Sequence, residues 1–290
     1  MTNRASLTAE YMALFRALES SRPQETRLFN DPFAAGFLSS RRKWLYRMAR
    51  LEAGRRLVEG LLDRSAPGAR AAGIARTKWI DDEVTQALNV ATQLVLLGAG
   101  FDTRAFRLPA AARATTFELD HPETSLAKRA ALQKAMGALP GRVRFISVDF
   151  NRQSVAEVLA PAGFDHAQPA CFVWEGVTNY LTAEAIDRVV RQIQQSARES
   201  VLLFTYIHRG VLENPERFFG AQKMIARVAA YGEPWTFGFR PEELDSYLAA
   251  RGFQLTADLS VGEIWRRAGR SGAGTHGYEF YRLASARVDV

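Results

Sequence analysis

Four short apolar runs each end in residues suited to holding a ligand. Residues 94–97 lead into Gly98, Ala99 and Gly100; residues 114–119 end at Asp120, residues 143–148 at Asp149, and residues 170–174 at Glu175. A Gly-x-Gly turn after an apolar run lets the backbone approach a ligand where a helix begins. An acid closing the next run can accept hydrogen bonds from both hydroxyls of a ribose, and Asp120 follows Gly100 by about 20 residues, the spacing that role requires.

The elements that must position these residues follow from periodicity. From Gln93 onward, apolar runs at 94–97, 114–119, 143–148, 170–174 and 201–206 alternate with helical stretches at 122–136, 151–160 and 182–198. Strand and helix in alternation predict a mostly parallel sheet covered on both faces, with ligands bound at the carboxyl ends of the strands. Ahead of this core, residues 6–21 and 42–64 read as amphipathic helices separated by the Asn30, Asp31, Pro32 turn. Behind it, residues 208–240 are rich in aromatics and turn formers, Pro241 opens a helix that Gly252 closes, and strands near 253–257 and 278–283 complete the sheet as a hairpin-like pair. Residues 270–274 read as a mobile loop. The division is one domain over 1–290: a helical cap (1–75), a ligand-binding core (76–207), a lid (208–240) and a closing helix with strands (241–290).

Composition narrows the function classes. With 290 residues, 47% hydrophobic and 24% charged, the chain is that of a globular protein and not a disordered one. No stretch reaches the length of an apolar membrane span, and residues 1–10 lack the apolar core of a secretory signal, so a cytoplasmic location is expected. One cysteine, Cys171, and four scattered histidines give no disulfide and no metal-ligand spacing, so no metal is expected. The net charge of +7 is concentrated: residues 41–70 carry nine basic side chains against Glu52, Glu59 and Asp63. A solvated helix face explains such a patch, and an RNA-binding or RNA-methylating protein using segment 41–70 is the alternative function. That alternative requires stacking aromatics among the charges, and only Trp44 and Tyr46 are present.

Charge also discriminates between ligands. Asp102 stands where a pyrophosphate would need an unopposed helix N-terminus, and Thr103 occupies the place of the third glycine in a dinucleotide fingerprint. A ribose-bearing ligand with cationic centres and no phosphates suits such an acidic pocket better. S-adenosylmethionine (SAM), with a sulfonium and an ammonium, is that ligand.

Taken together, residues 76–82 (RTKWIDD), 97–104 (LGAGFDTR), 118–122 (ELDHP), 148–150 (VDF) and 174–181 (WEGVTNYL) resemble the leucine carboxyl methyltransferase family. The resemblance runs from residues 16–19 and the Asp31, Pro32 pair to the closing 277–281 (GYEFY). It implies a class I, Rossmann-like SAM-dependent O-methyltransferase with a seven-stranded sheet, an N-terminal helical extension and a lid insertion after strand five. It further implies that Arg76 pairs with the SAM carboxylate, that Gly98 and Gly100 pass under the methionine part, and that Asp120 holds the ribose. Asp149 would accept from the adenine amino group, Phe150 would pack near the ring, and Glu175 would lie near the cationic part. Competing readings are an Arg76 ion pair with Asp81 or Asp82 and a helix-capping role for Glu175. The branch acting on protein phosphatases carries a lysine shortly before the Asp-Pro pair; here no lysine precedes Lys43, and only Arg16 and Arg22 stand nearby, which argues against a phosphatase tail as substrate.

Methyl transfer to a carboxylate is an in-line displacement that needs no base, only alignment and exclusion of water. A phenol or alcohol would need one, and Tyr180, His208 and Glu175 are the candidates. The expected acceptor is a small, anionic molecule. Phe219, Trp235 and Phe237 are expected to wall its pocket together with Phe218, Tyr231 and Phe239. The oligomeric state stays open.

Overall fold

Side chains alternate across a strand, so Leu94 and Leu96 face one apolar cluster while Val95 and Leu97 face another. That division organises the whole molecule. The computed structural model describes residues 7–148, 150, 153–270 and 277–289. Seven strands form one sheet: β1 (Gln93–Leu97), β2 (Thr115–Asp120), β3 (Val143–Ser147), β4 (Ala170–Trp174), β5 (Val201–Ile207), β6 (Phe253–Ser260) and β7 (Tyr281–Val288). Their order is β3-β2-β1-β4-β5-β7-β6, parallel except for β7, which pairs antiparallel with both neighbours. The strand order reverses between β1 and β4, and the Gly98 turn and Glu175 follow directly from those two strands.

The helices are α1 (Leu7–Ser20), α2 (Ser40–Met48), α3 (Glu52–Ser65), α4 (Ala69–Ala87), α5 (Arg104–Arg107), α6 (Pro122–Met136), α7 (Val155–Leu159), α8 (Ala183–Gln194), α9 (Gly210–Glu213), α10 (Ala221–Ala230), α11 (Pro241–Ala249) and α12 (Val261–Arg267). α4 and α12 bring Ile80, Val84, Ile264 and Trp265 against the Leu94 face. α7, α8 and α11 bring Leu159, Ile186, Val190, Leu244 and Leu248 against the other. A third cluster joins α1, α2 and α3 to Phe101 and Leu132.

The α/β reading therefore holds, with several boundaries corrected. Residues 42–64 form two helices instead of one, because the chain extends at Leu51 and doubles back closely enough that only glycine fits at position 54, against the Met48 carbonyl. α4 is a helix that the sequence pattern does not reveal: its first half, Ala69–Ala75, is buried on every side, a polar stripe of Lys78, Asp82, Thr85 and Gln86 appears only in its second half, and the proposed boundary at residue 76 falls inside it. The helices expected at 151–160 and 182–198 are described as the shorter α7 and α8. The last strand starts at Tyr281 and enters between β5 and β6, with α12 intervening, so the closing pair is no simple hairpin. Asp149 and residues 271–274 of the expected loop lie outside the described residues.

One internal ion pair fixes α6 to the sheet. Lys128 Nζ lies 2.7 Å from Glu118 Oε2, with both side chains almost wholly buried. Burial pushes the Glu118 carboxyl up to about 7 even against the attraction of Lys128. We expect Lys128→Met to destabilise the fold by about 3–5 kcal/mol, because Glu118 is left buried without its partner, and Glu118→Gln/Lys128→Met to recover much of that loss. Urea midpoints of the two variants at neutral pH check this.

Candidate active site

The turn after β1 is built from backbone requirements. Gly98 N and Ala99 N donate to Leu119 O at 2.9 and 3.0 Å, and the chain then passes through left-handed geometry at Gly98 (φ 69°) and Gly100 (φ 46°). A Cβ at Gly98 would stand 2.5 Å from Val177 Cγ2, so glycine is required there by both dihedral and space. Asp120, at the end of the adjacent β2, accepts from Gly100 N through Oδ2 and from His121 N through Oδ1, the latter at 2.6 Å. Burial raises the Asp120 pKa, and the two amides offset part of that rise. Each oxygen keeps capacity for a further donor.

Beneath this turn lies a buried network of arginines and acids. Arg104 Nε reaches Asp81 Oδ1 at 2.7 Å, while its Nη1 reaches Asp102 Oδ2 at 2.6 Å and Glu175 Oε2 at 2.5 Å. Glu175 Oε1 pairs with Arg76 Nε at 2.6 Å, and Arg76 Nη1 donates to Tyr281 Oη at 2.9 Å. Arg107 donates twice to Asp81 and through Nε to Thr103 Oγ1, which donates to Asp31. Arg16 closes the chain, donating to Asp31 Oδ2 at 2.8 Å and to Phe101 O at 2.6 Å. Burial disfavours the charges of Arg76, Arg104, Arg107, Asp31, Asp102 and Glu175; nonetheless Arg104 and Arg76 hold Glu175 below its ordinary range, and Arg104 with its neighbours brings Asp102 down to about 2.

A cavity of about 590 Å³ opens above the network, between the carboxyl ends of β1, β2 and β4, α1, α4 and the segment after β5. Arg76, Gly98, Gly100, Asp120, Phe150, Glu175, Tyr180 and Trp235 all line it. Arg76 pairs with Glu175, not with Asp81 or Asp82, which are taken by Arg104, Arg107 and Lys78. Glu175 caps no helix; the following 3-10 turn starts beyond Val177. Arg16 lines the cavity, whereas Arg22 pairs with Glu19 and Glu59 away from it.

Other expected contacts are absent from the cavity wall. His208 Nδ1 accepts from Gly210 N at 2.9 Å and its ring packs on Phe218, so it is removed from the cavity. Phe237 packs edge-on against Phe239, which is itself core, and neither ring lines the cavity. Phe219 is exposed and also lies outside the lining, so of the six aromatics assigned to this wall, Tyr231 and Trp235 reach it. Tyr180 does line it, but burial pushes its hydroxyl up to about 12, making it a donor and not a base at neutral pH. The wall also includes residues the sequence pattern did not nominate: Tyr11 and Met12 of α1, Leu62 of α3, Arg227 of α10, and Tyr278 and Tyr281. These positions of α1, α3 and α10 lie outside the quoted motifs, and an amphipathic pattern does not say which protein surface its apolar face will meet.

Comparison with known proteins adds three findings. The family model described as leucine carboxyl methyltransferase matches residues 9–194. A Mycolicibacterium smegmatis protein named as an inferred S-adenosyl-L-methionine-dependent methyltransferase is 31% identical, over 86% of this chain and 82% of its own, and one from Mycobacterium tuberculosis with the same name is 29% identical over 93% and 86%. Among solved structures, an inferred methyltransferase of Thermobifida fusca superposes with a TM-score of 0.59 at 18% identity, covering 99% of this chain and 96% of its own, a likeness of fold.

The network makes acid stability predictable. Asp102, Asp31 and Glu175 have lowered folded pKa values, so the stability they contribute is complete above the ordinary carboxylate range and is lost as pH falls through the folded values, toward about 2 for Asp102. We expect Arg104→Met to lower stability by roughly 3–5 kcal/mol at neutral pH and to move acid unfolding to higher pH. Urea titrations across the acid range measure both effects.

Proposed function

This chain belongs to the leucine carboxyl methyltransferase family and is a SAM-dependent methyltransferase, and we propose that its acceptor is the carboxylate of a small, largely apolar molecule. The residues present suit SAM. Positive φ at Gly98 and Gly100 leaves the turn free of side chains, and the Asp120 carboxylate is clamped by two amides with lone pairs to spare. Beyond its ion pair with Glu175 and its hydrogen bond to Tyr281, the Arg76 guanidinium makes no hydrogen bond among the described residues, which leaves donor capacity for a carboxylate. When bound, SAM supplies a methyl group on an already activated sulfonium. On this reading Asp120 holds the ribose hydroxyls, Phe150 packs beside the adenine, and Glu175 keeps Arg76 in place below the methionine part. Asp149 keeps its proposed contact to the adenine amino group on sequence position alone.

The observation that carries the acceptor class is the pair formed by Tyr180 and Trp235. The Tyr180 hydroxyl stays protonated, and the buried Trp235 indole N–H is directed at its oxygen without a well-aligned acceptor among the described residues. Two neutral donors suit an acceptor that arrives ionised, since they can hold one oxygen and leave the other as nucleophile; Glu233, on the same wall, opposes a negative charge there and accepts from Thr8. Met12, Phe15, Leu62, Ala66, Met224 and Val228 supply an apolar wall that would strip water from that oxygen. Arg227, on the same wall, adds a positive charge.

Labelled SAM offered with small carboxylic acids, with phenols and with a protein C-terminal peptide tests the proposal; transfer to phenols alone would refute it. We expect Asp120→Ala to weaken SAM binding by about 1–3 kcal/mol in calorimetry. Because burial raises the Asp120 pKa and the ribose hydroxyls favour the ionised form, affinity should fall on acidification at a pH above that of an ordinary aspartate. Trp235→Phe, which keeps the ring and removes the N–H, should raise the acceptor KM several-fold while SAM affinity stays within about 1 kcal/mol.

A further inference from the structure

The basic segment 41–70 has a second property that charge alone does not reveal. Of the seven large hydrophobic side chains exposed among the described residues, four lie on α2, α3 and the link between them: Trp44 at 58%, Leu51 at 75%, Leu57 at 52% and Leu61 at 51%. Leu57 and Leu61, with Arg64, form the outward stripe of α3 at helical spacing, while Val58 and Leu62 form its inward stripe. The same segment carries Arg41, Lys43, Arg47, Arg50, Arg55 and Arg64, exposed or half-buried and none with an ion-pair partner among the described residues. The remaining charges there are engaged: Arg42 with Glu10, Arg56 with Glu52, Arg70 with Asp63, and Glu59 with Arg22.

We propose that the outer face of α2 and α3 docks on an anionic lipid surface, with Trp44, Leu51, Leu57 and Leu61 entering the headgroup boundary and the six unpaired cations meeting lipid phosphates. Amphipathic helices that lie in a membrane interface combine these two features, apolar side chains on the outer face and long basic side chains whose charged ends stay at headgroup level. RNA would satisfy the cations but would leave three exposed leucines in water, and of the two aromatics available for stacking, Tyr46 packs into the third apolar cluster. A second copy docked through the same face would oppose like charges across a two-fold axis. No described helix is long and apolar enough to cross a membrane, so attachment would be peripheral. The inward stripe of α3 lines the cavity through Leu62, so the docking face and the cavity are the two sides of one helix.

The test uses the full chain and sedimentation with vesicles of phosphatidylcholine, alone or with phosphatidylglycerol. We expect at least about ten-fold tighter association with the anionic vesicles, weakened by salt. Leu57→Ser/Leu61→Ser should reduce it by about ten-fold or more, with circular dichroism and SAM binding unchanged. A blue shift of tryptophan emission on vesicle addition should disappear in Trp44→Phe. Equal partition into both vesicle types, an unaffected leucine double variant, self-association through this face, or salt-sensitive RNA binding without vesicle association would each overturn the proposal. SAM binding is measured separately, so failure here is distinguishable from failure of the methyl-transfer reading.

Discussion

Arg104 is gripped by Asp81, Asp102 and Glu175 together, at a place where it is almost inaccessible to water. A buried guanidinium is tolerated only when its charge is balanced and its donors are occupied. The surrounding network meets that condition in aggregate: Arg16, Arg76, Arg104 and Arg107 stand against Asp31, Asp81, Asp102 and Glu175. These residues come from α1, the turn before α2, α4, the β1–α5 connection, α5 and the end of β4. Each segment is therefore tied to the others by an interaction whose loss would leave a charge in low dielectric, and the N-terminal helices become part of the cavity floor.

That arrangement changes the electrostatic argument for the ligand. Asp102 and Glu175 read from sequence as free carboxylates facing a cation, but in the fold both are shared with arginines, and Glu175 bridges two of them. Each of their charges is thus met by a buried guanidinium. The feature that still favours a phosphate-free ribose ligand is geometric: Asp120 is held by the backbone amides of Gly100 and His121, so a helix-start amide that might have met a phosphate is already occupied.

What was legible in the sequence follows the same division between backbone and partner. The strand ends carrying Gly98, Gly100, Asp120 and Glu175 could be read because β periodicity fixes where a strand stops, and parallel topology brings those stops to one edge. α4 could not, since its first half, Ala69–Ala75, is buried on every side and an amphipathic stripe appears only toward its end. Nor could the partners of Arg76 be chosen among nearby acids. Asp81 and Asp82 are closer in sequence, yet a residue at the end of β4 is closer in space. The segments that hold Tyr11 and Arg227 are those expected to wall the pocket, but which of their residues reach it is set by tertiary packing, which leaves no local signature.

The segment after β5 shows how a correct composition can mislead about contacts. Its aromatics suggested a continuous wall, but the chain between Trp235 and Phe237 crosses the carboxyl edge of the sheet. Thr236 N donates to Asn179 O at 2.8 Å and Thr236 Oγ1 donates to Leu181 O at 3.1 Å, pinning the crossing. Before it, Trp235 packs edge-on near Phe280 with the first core cluster; after it, Phe237 meets Phe239 with the second. A segment whose rings anchor on opposite faces of a sheet is fixed at the point where it passes over. Trp235 thus presents its indole N–H toward Tyr180 from a pinned position, so the polar pair on this wall is held by the fold and does not depend on a ligand for its place.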